Sequence, residues 1–316
     1  MKIFLLFLYF HFCFSNIFEE MRIDMTHEVL LDLPKRENVG LLEMINEMSK
    51  IKDQYSLTEL ETAYFIFNWI SQSIKYDCYG RNHGGIINEP FETYREGRGG
   101  YKGITELYTT ICRFLNIESH TIFGIEKYLT NDFENLIGIR EKYWNTVFIN
   151  GNYYIADIVK GMGYCTDDNF NYPYVFDNRE FGLNPESFIR YRFPNDINWQ
   201  LISKPITKAE FNSMAYLYDT FFIFFKTIYP DVLSLRKGEE LIEIILTFKE
   251  PMDSIKELGI SAEFNLAQPR EKINVINLLF SKDTLKFSLY INKSGYITIN
   301  LRLNFGEYYL VTYAVY

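Results

Sequence analysis

KYWNTVFINGNYYIAD, Lys142–Asp157, is the stretch whose reading decides the fold. WNTVFI and NYYIAD are β-branched and aromatic runs joined by Asn150-Gly151, a pair that readily takes the positive φ angles of a two-residue hairpin turn. The spacing predicts two antiparallel strands. Lys142, Trp144, Asn145 and Asp157 all lie on this hairpin.

A second informative stretch lies upstream, Gly99-Gly100-Tyr101-Lys102-Gly103-Ile104-Thr105, which opens the apolar helical run ELYTTICRFLNI. A helix N-terminus favours negative charge and lowers the pKa of a thiol placed there. Tyr101 holds that place. Before it, TELETAYFIFNWISQSI reads as a helix that buries one face, with Thr58 as N-cap and Glu61 three residues later. VGLLEMINEMSKI, earlier still, has apolar residues at three- and four-residue spacing and reads as an amphipathic helix. Between Cys78 and Gly100 the chain is rich in Gly, Asn, Arg and Glu, which predicts a long loop leading to the site or a plain solvated connection.

These pieces resemble the transglutaminase-like superfamily of papain-type cysteine hydrolases and acyltransferases. There the hairpin begins His-Ala-Trp-Asn and ends in an aspartate, and the nucleophile sits in a Gly-Val-Cys-x-Gly-Tyr-Ala segment. Trp144, Asn145 and Asp157 match, whereas Lys142 stands at the histidine position and Tyr101 at the cysteine position. Gly182-Leu183-Asn184-Pro185-Glu186-Ser187-Phe188-Ile189, then Phe193-Pro194 and Trp199-Gln200-Leu201-Ile202, are similar to the junction that the kyphoscoliosis-peptidase family places after this domain. The resemblance implies a papain-like fold with a degenerate triad at Tyr101, Lys142 and Asp157, Trp144 as core and Asn145 as support. It therefore implies a catalytically inactive protein that acts by binding or scaffolding, with a protein or glycan ligand. An ion pair between Lys142 and Asp157 is the expected use of the two retained positions. The alternative is an active cysteine peptidase or protein-crosslinking acyltransferase whose nucleophile has moved to Cys78, with His83 or His120 as base.

The fold class expected is α+β, a transglutaminase-like domain followed by an all-β immunoglobulin-like sandwich. The divisions are a signal peptide at 1–15, the first domain at 16–182, a junction at 183–213 and the sandwich at 214–316. LIEIILTFK, SAEFNLA, TLKFSLYIN, YITINLRLN and YYLVTYAVY supply its short strands. Asn292-Lys293-Ser294-Gly295 reads as a hairpin turn and carries an N-x-S sequon, which makes Asn292 a glycosylation candidate.

A chain of 316 residues with 47% hydrophobic and 18% aromatic residues can fill two cores. Its net charge of −9 and the lack of a basic stripe argue against nucleic acid. MKIFLLFLYFHFCFS reads as a secretory signal cut near Ser15, with a short helix or a retained anchor as other readings. It is too short for a stable membrane span. The expected localisation is secreted, luminal or cell-surface, the alternative being cytoplasmic and cytoskeleton-associated. Cys78, Cys112 and Cys165 then suggest one disulfide and one free thiol, with the pairing open. The scattered histidines and the missing Asp-x-Asp-x-Asp-Gly loop predict neither metal nor cofactor.

Overall fold

The computed structural model describes residues 21–78, 84–130, 137–163, 176–218, 220–238, 241–250, 258–264, 271–303 and 306–316. The signal segment, His83 and Cys165 lie outside these residues. In the first half the elements run α1 (Ile23–Glu28), α2 (Leu41–Gln54), α3 (Glu59–Ser73), β1 (Lys75–Tyr76), α4 (Pro90–Glu96), β2 (Arg98–Gly99), α5 (Tyr101–Phe114), β3 (Glu118–Leu129), β4 (Ile137–Ile149), β5 (Asn152–Ala156), β6 (Phe181–Leu183) and β7 (Arg192–Pro194). The last five form an antiparallel sheet in the order β6-β5-β4-β3-β7. Asn150 and Gly151 take φ angles of 52° and 82°, so the turn between β4 and β5 is the one the sequence predicts.

Helix α3 begins where expected. The Thr58 side chain accepts from the Glu61 backbone N–H and the Glu61 carboxylate accepts from the Thr58 N–H, satisfying two otherwise orphaned donors. From Leu60 to Ser71 every residue of α3 is buried, the signature of a helix enclosed on all sides rather than lying on a surface. Amphipathic α2 packs Leu41, Met44, Ile45, Met48 and Ile51 into the same core. Helix α5 joins α3 to the sheet: the Tyr108 hydroxyl donates to the Ala63 carbonyl at 3.1 Å, and the Asn145 amide on β4 donates to the Thr105 carbonyl at 2.9 Å. A separate cluster of Ile122, Trp144, Ile155 and Phe188 also packs on this sheet. Trp144 lies so close over Gly124 that a Cβ there would meet its ring at 2.5 Å and also collide with the Phe193 carbonyl.

Residues 183–213, expected as a junction, supply β7, which pairs with β3 and extends the first sheet. The second half comprises β8 (Tyr216–Leu217), β9 (Phe225–Tyr229), β10 (Ser234–Leu235), β11 (Ile242–Phe248), β12 (Leu258–Phe264), β13 (Glu271–Ile273), β14 (Val275–Phe280), β15 (Thr284–Leu289), β16 (Gly295–Leu303) and β17 (Gly306–Val315). One sheet has the order β10-β17-β16-β12-β13 with β8 on β17, the other β14-β15-β11-β9. Ile244, Leu246, Leu285 and Phe287 from the second sheet meet Ile297, Ile299, Leu301 and Val311 from the first in one apolar core. The α+β domain followed by a β-sandwich is thus the observed fold class.

One local expectation is corrected. Asn292–Gly295 does not close a hairpin, because β15 pairs with β11 and β14 whereas β16 pairs with β12 and β17. The segment carries the chain from one sheet to the other, and both flanking strands point their apolar side chains into the shared core. Asn292 itself is exposed there. No helix among the described residues is long and apolar enough to cross a membrane.

Candidate functional site

The backbone places Tyr101, Lys142 and Asp157, the positions expected for a triad, in one neighbourhood. Tyr101 is the first residue of α5, after the N-cap Gly100, which has no side chain to satisfy the helix amides. Lys142 lies on β4 directly opposite Gly124 of β3. Asp157 follows β5 and caps the short helix Ile158–Gly161, its Oδ1 accepting from the Lys160 N–H at 3.1 Å. Lys142 Nζ stands 3.9 Å from the centre of the Tyr101 ring, a cation-on-ring contact. The Tyr76 ring packs on Tyr101 at 4.6 Å.

The expected ion pair between Lys142 and Asp157 is not formed. Asp157 Oδ2 instead accepts from Arg192 at 2.6 Å, and Lys142 faces Glu126 at 3.7 Å. The sheet register explains this exchange. Glu126 on β3 is paired across the strands with Arg140 of β4 on one side and with Arg192 of β7 on the other. Cross-strand neighbours lie close enough for their side chains to meet. Arg140 Nε reaches Glu126 Oε2 at 2.5 Å, and Arg192 bridges Glu126 Oε1 and Asp157. The guanidinium fork of Arg192 can serve two carboxylates at once, which an ammonium does less well.

The electrostatics follow from burial set against these partners. Burial pushes the Glu126 carboxyl up, but Arg192, then Lys142 and Arg140, outweigh it and hold the group well below the usual carboxylate range. Asp157 is also held below its ordinary value, burial being overcome by Arg192 and then Lys142. For Tyr101, burial again raises the phenol, and Lys142 with Arg140 more than reverses it, so the phenol lies below its ordinary value. All five charged groups are ones the sequence contains, but Glu126, Arg140 and Arg192 were not read as site residues. Their signal is a charge inside an otherwise apolar strand run, which in a sheet core demands a partner.

Trp144 is fully buried against Phe188, ring to ring at 5.4 Å. Buried Asn145 gives its amide to Thr105 O and Thr109 Oγ1, both at 2.9 Å, pinning β4 to α5. Cys78 is buried and disulfide-bonded, so its sulfur is not a thiol in this state. Cys112 is a free thiol in the core, where burial pushes it up to about 12. His120 bonds Glu118 at 3.0 Å and packs on Trp199 at 4.7 Å. Beside Tyr101 opens a cleft of about 510 Å³ whose lining includes Tyr76, Ile86, Asn88, Arg140 and Tyr143.

Residues 47–158, which carry α3, α5 and the hairpin, match the family model of the Transglutaminase-like superfamily. That segment, less than half of the chain, is a transglutaminase-like domain. The chain's relatives by sequence include Kyphoscoliosis peptidase of Homo sapiens, 25% identical over 181 residues that make up 56% of this chain and 26% of that protein. Lim and transglutaminase domain protein ltd-1 of Caenorhabditis elegans is 22% identical over 219 residues, 62% of this chain and 28% of that protein. The chain therefore spans about a quarter of the length of these relatives. Among solved structures, a chain described as a TGase matches at 11% identity and a TM-score of 0.30, over 49% of this chain and 40% of its own.

Proposed function

We propose that this protein acts by binding a protein or glycan ligand through its transglutaminase-like domain, without acyl transfer or peptide hydrolysis. The observation that carries the reading is the Lys142 contact on Tyr101, at the N-terminus of α5 where the family's nucleophile lies. A phenol is an indifferent acyl acceptor, and a lysine beside it cannot take the part of an imidazole that shuttles a proton near neutral pH. Asp157, the orienting group of such a triad, spends its carboxylate on Arg192. Two of the relatives bear the name peptidase, and that activity here needs a thiol at the cleft. Cys78 offers one only after reduction. Its disulfide also supports a secreted, luminal or cell-surface location, since such bonds persist in oxidising compartments.

The test is incorporation of a labelled primary amine into a glutamine-containing protein, with hydrolysis of a peptide library, each before and after reduction. Neither is expected to exceed background in any state. Turnover that disappears in Cys78→Ala would overturn the reading and locate a relocated nucleophile.

A further inference from the structure

Tyr101 differs from Tyr55, Tyr94, Tyr108, Tyr153 and Tyr313 in what surrounds its oxygen. Burial or a carboxylate partner pushes the phenols of those five up from their ordinary value. Tyr101 moves the other way. Burial, which raises it, is outweighed by Lys142 and then Arg140 of β4, with Glu126 of β3 opposing them. Lys142 also hydrogen-bonds the phenol oxygen. Contacts of this kind favour the anionic oxygen, and a lowered pKa is one of the ways a weak nucleophile is activated.

The same residue is half-buried and forms part of the cleft wall. Tyr76 packs on its ring at 4.6 Å, which limits how far the phenol can swing. Lys142 lies over the ring at 3.9 Å, is 4% exposed and is not part of the cleft lining. A molecule that enters the cleft therefore meets the phenol and not the Lys142 amine. The volume of about 510 Å³ admits a small molecule, and Tyr76, Ile86 and Tyr143 offer apolar walls to an aryl or alkyl group. Lys102 pairs with Glu106 at 3.7 Å, Arg140 pairs with Glu126, and Glu141 adds a negative charge, so the lining does not select for an anion.

We propose that Tyr101 is a covalent modification site, a nucleophilic tyrosine that takes the acyl group of a small, uncharged, activated ester entering the cleft. The phenol oxygen attacks the ester carbonyl, and the bond from that carbon to the leaving oxygen breaks. The acyl group stays on Tyr101, and the leaving alcohol departs with the proton that the phenol gave up. No oxidant or reductant is needed. The reaction stops at one group per chain, because the described residues lining the cleft include no histidine and no cysteine to activate water against the new ester, and the Glu141 carboxylate is a weak base. An amide is not a substrate, since its leaving group is too poor for a phenol to displace. The site therefore adds a single modification to the binding reading above and does not turn the protein into a peptidase.

The test is p-nitrophenyl acetate added to the full protein near neutral pH, with release of p-nitrophenolate followed in time and the acetylated residue located by peptide mass spectrometry. One equivalent is expected in a fast phase, with the label on Tyr101 at least about tenfold ahead of any other of the 25 tyrosines. Hydroxylamine should remove it, as it removes a phenyl ester and not a lysine amide. Tyr101→Phe should abolish the fast phase. Lys142→Met should slow it severalfold near neutral pH and move its pH profile upward, toward the ordinary phenol value of 10.0. If Lys142→Met does not fold, Arg140→Gln replaces it, with a smaller shift in the same direction. Label spread evenly over the tyrosines, a first label on Lys102 that resists hydroxylamine, or a pH profile unmoved by either variant overturns the proposal. The binding reading falls on a different result, turnover that disappears in Cys78→Ala, so the two failures are distinguishable.

Discussion

Glu126, Lys142, Asp157 and Arg192 sit inside the N-terminal domain with side chains no more than 9% exposed. In the sandwich, the buried polar side chains among the described residues are Ser288, Thr298, Asn300 and Thr312, none of them charged. One interior is thus held by area removed from water, at roughly 25 cal/mol per Å² of apolar surface. The other also carries ions whose desolvation must be repaid by partners. A dry core stabilises without requiring any particular pairing, so its cost of change scales with volume lost. A charged core is tolerable only while every member is present. The difference teaches where to look for function: the fold of the first domain could be built without this network, and the site is where it is found.

The largest effect that tests this contrast is on Arg192. Arg192→Met leaves Glu126 and Asp157 facing each other in the interior with less positive charge between them. Breaking a buried pair by removing one partner costs about 3–5 kcal/mol. Replacing all the partners together, as Glu126→Gln, Asp157→Asn and Arg192→Met, should restore much of that loss, because the uncompensated charges go too. Urea unfolding reads this cleanly. Trp69, Trp144 and Trp199 all lie in the first 213 residues, so tryptophan fluorescence follows the N-terminal domain alone. A single variant within about 1 kcal/mol of the parent would mean that the network is not closed as described.

Acid should separate the halves next. Glu61 accepts from Arg22 at 2.6 and 2.7 Å, and this pairing, opposed by burial, lowers its carboxyl to about 2. Glu126 and Asp157 are lowered as well. A carboxylate whose folded pKa lies below its unfolded value binds fewer protons in the native state. Its contribution is complete above the unfolded value near 4.5 and is lost as pH falls toward 2. The N-terminal domain should therefore lose its tryptophan signal in that window before the strand signal of the sandwich declines in far-ultraviolet circular dichroism. Glu61→Gln should shrink the pH dependence of the first transition. A single transition common to both probes, unchanged in the variant, would contradict the contrast.

Much of this was legible in the sequence because it depends on local rules. The Asn150-Gly151 turn, the Thr58–Glu61 cap and the start of α5 at Tyr101 are each set by a few adjacent residues. The five expected sandwich strands appear for the same reason, since each alternates inward and outward along one short run. Strand β14, VINLLF, was not foreseen: it is a continuous apolar run, lies at a sheet edge and leaves Ile276, Leu278, Leu279 and Phe280 exposed. Pairing across sheets was equally hidden, as Asn292–Gly295 shows. At the site, the positions of Tyr101, Lys142 and Asp157 could be read, but their partners could not. Glu126 is 66 residues from Arg192 in sequence, and only the register of β3 between β4 and β7 brings them together.

The smallest expected effect lies between the two regions, at Lys127. Its Nζ on β3 donates to the Phe211 carbonyl and to the Met214 carbonyl at 3.0 Å, just where the chain leaves one domain for the other. Burial, with help from Arg190, lowers this lysine from its ordinary range to about 8. Below pH 8 it is charged in both states and folding bears the cost of burying the ion. Between about 8 and 10.5 the unfolded chain still binds the proton that the folded one has released, so stability rises with pH across this window. A neutral amine keeps two N–H groups, enough for both carbonyls. The wild-type urea midpoint should therefore climb between pH 8 and 10 relative to that of Lys127→Met, in which neither state titrates at this position. Parallel curves for the two proteins would show that the ion at the seam is already compensated, and that charge of the kind buried in the first domain stops short of its border with the second.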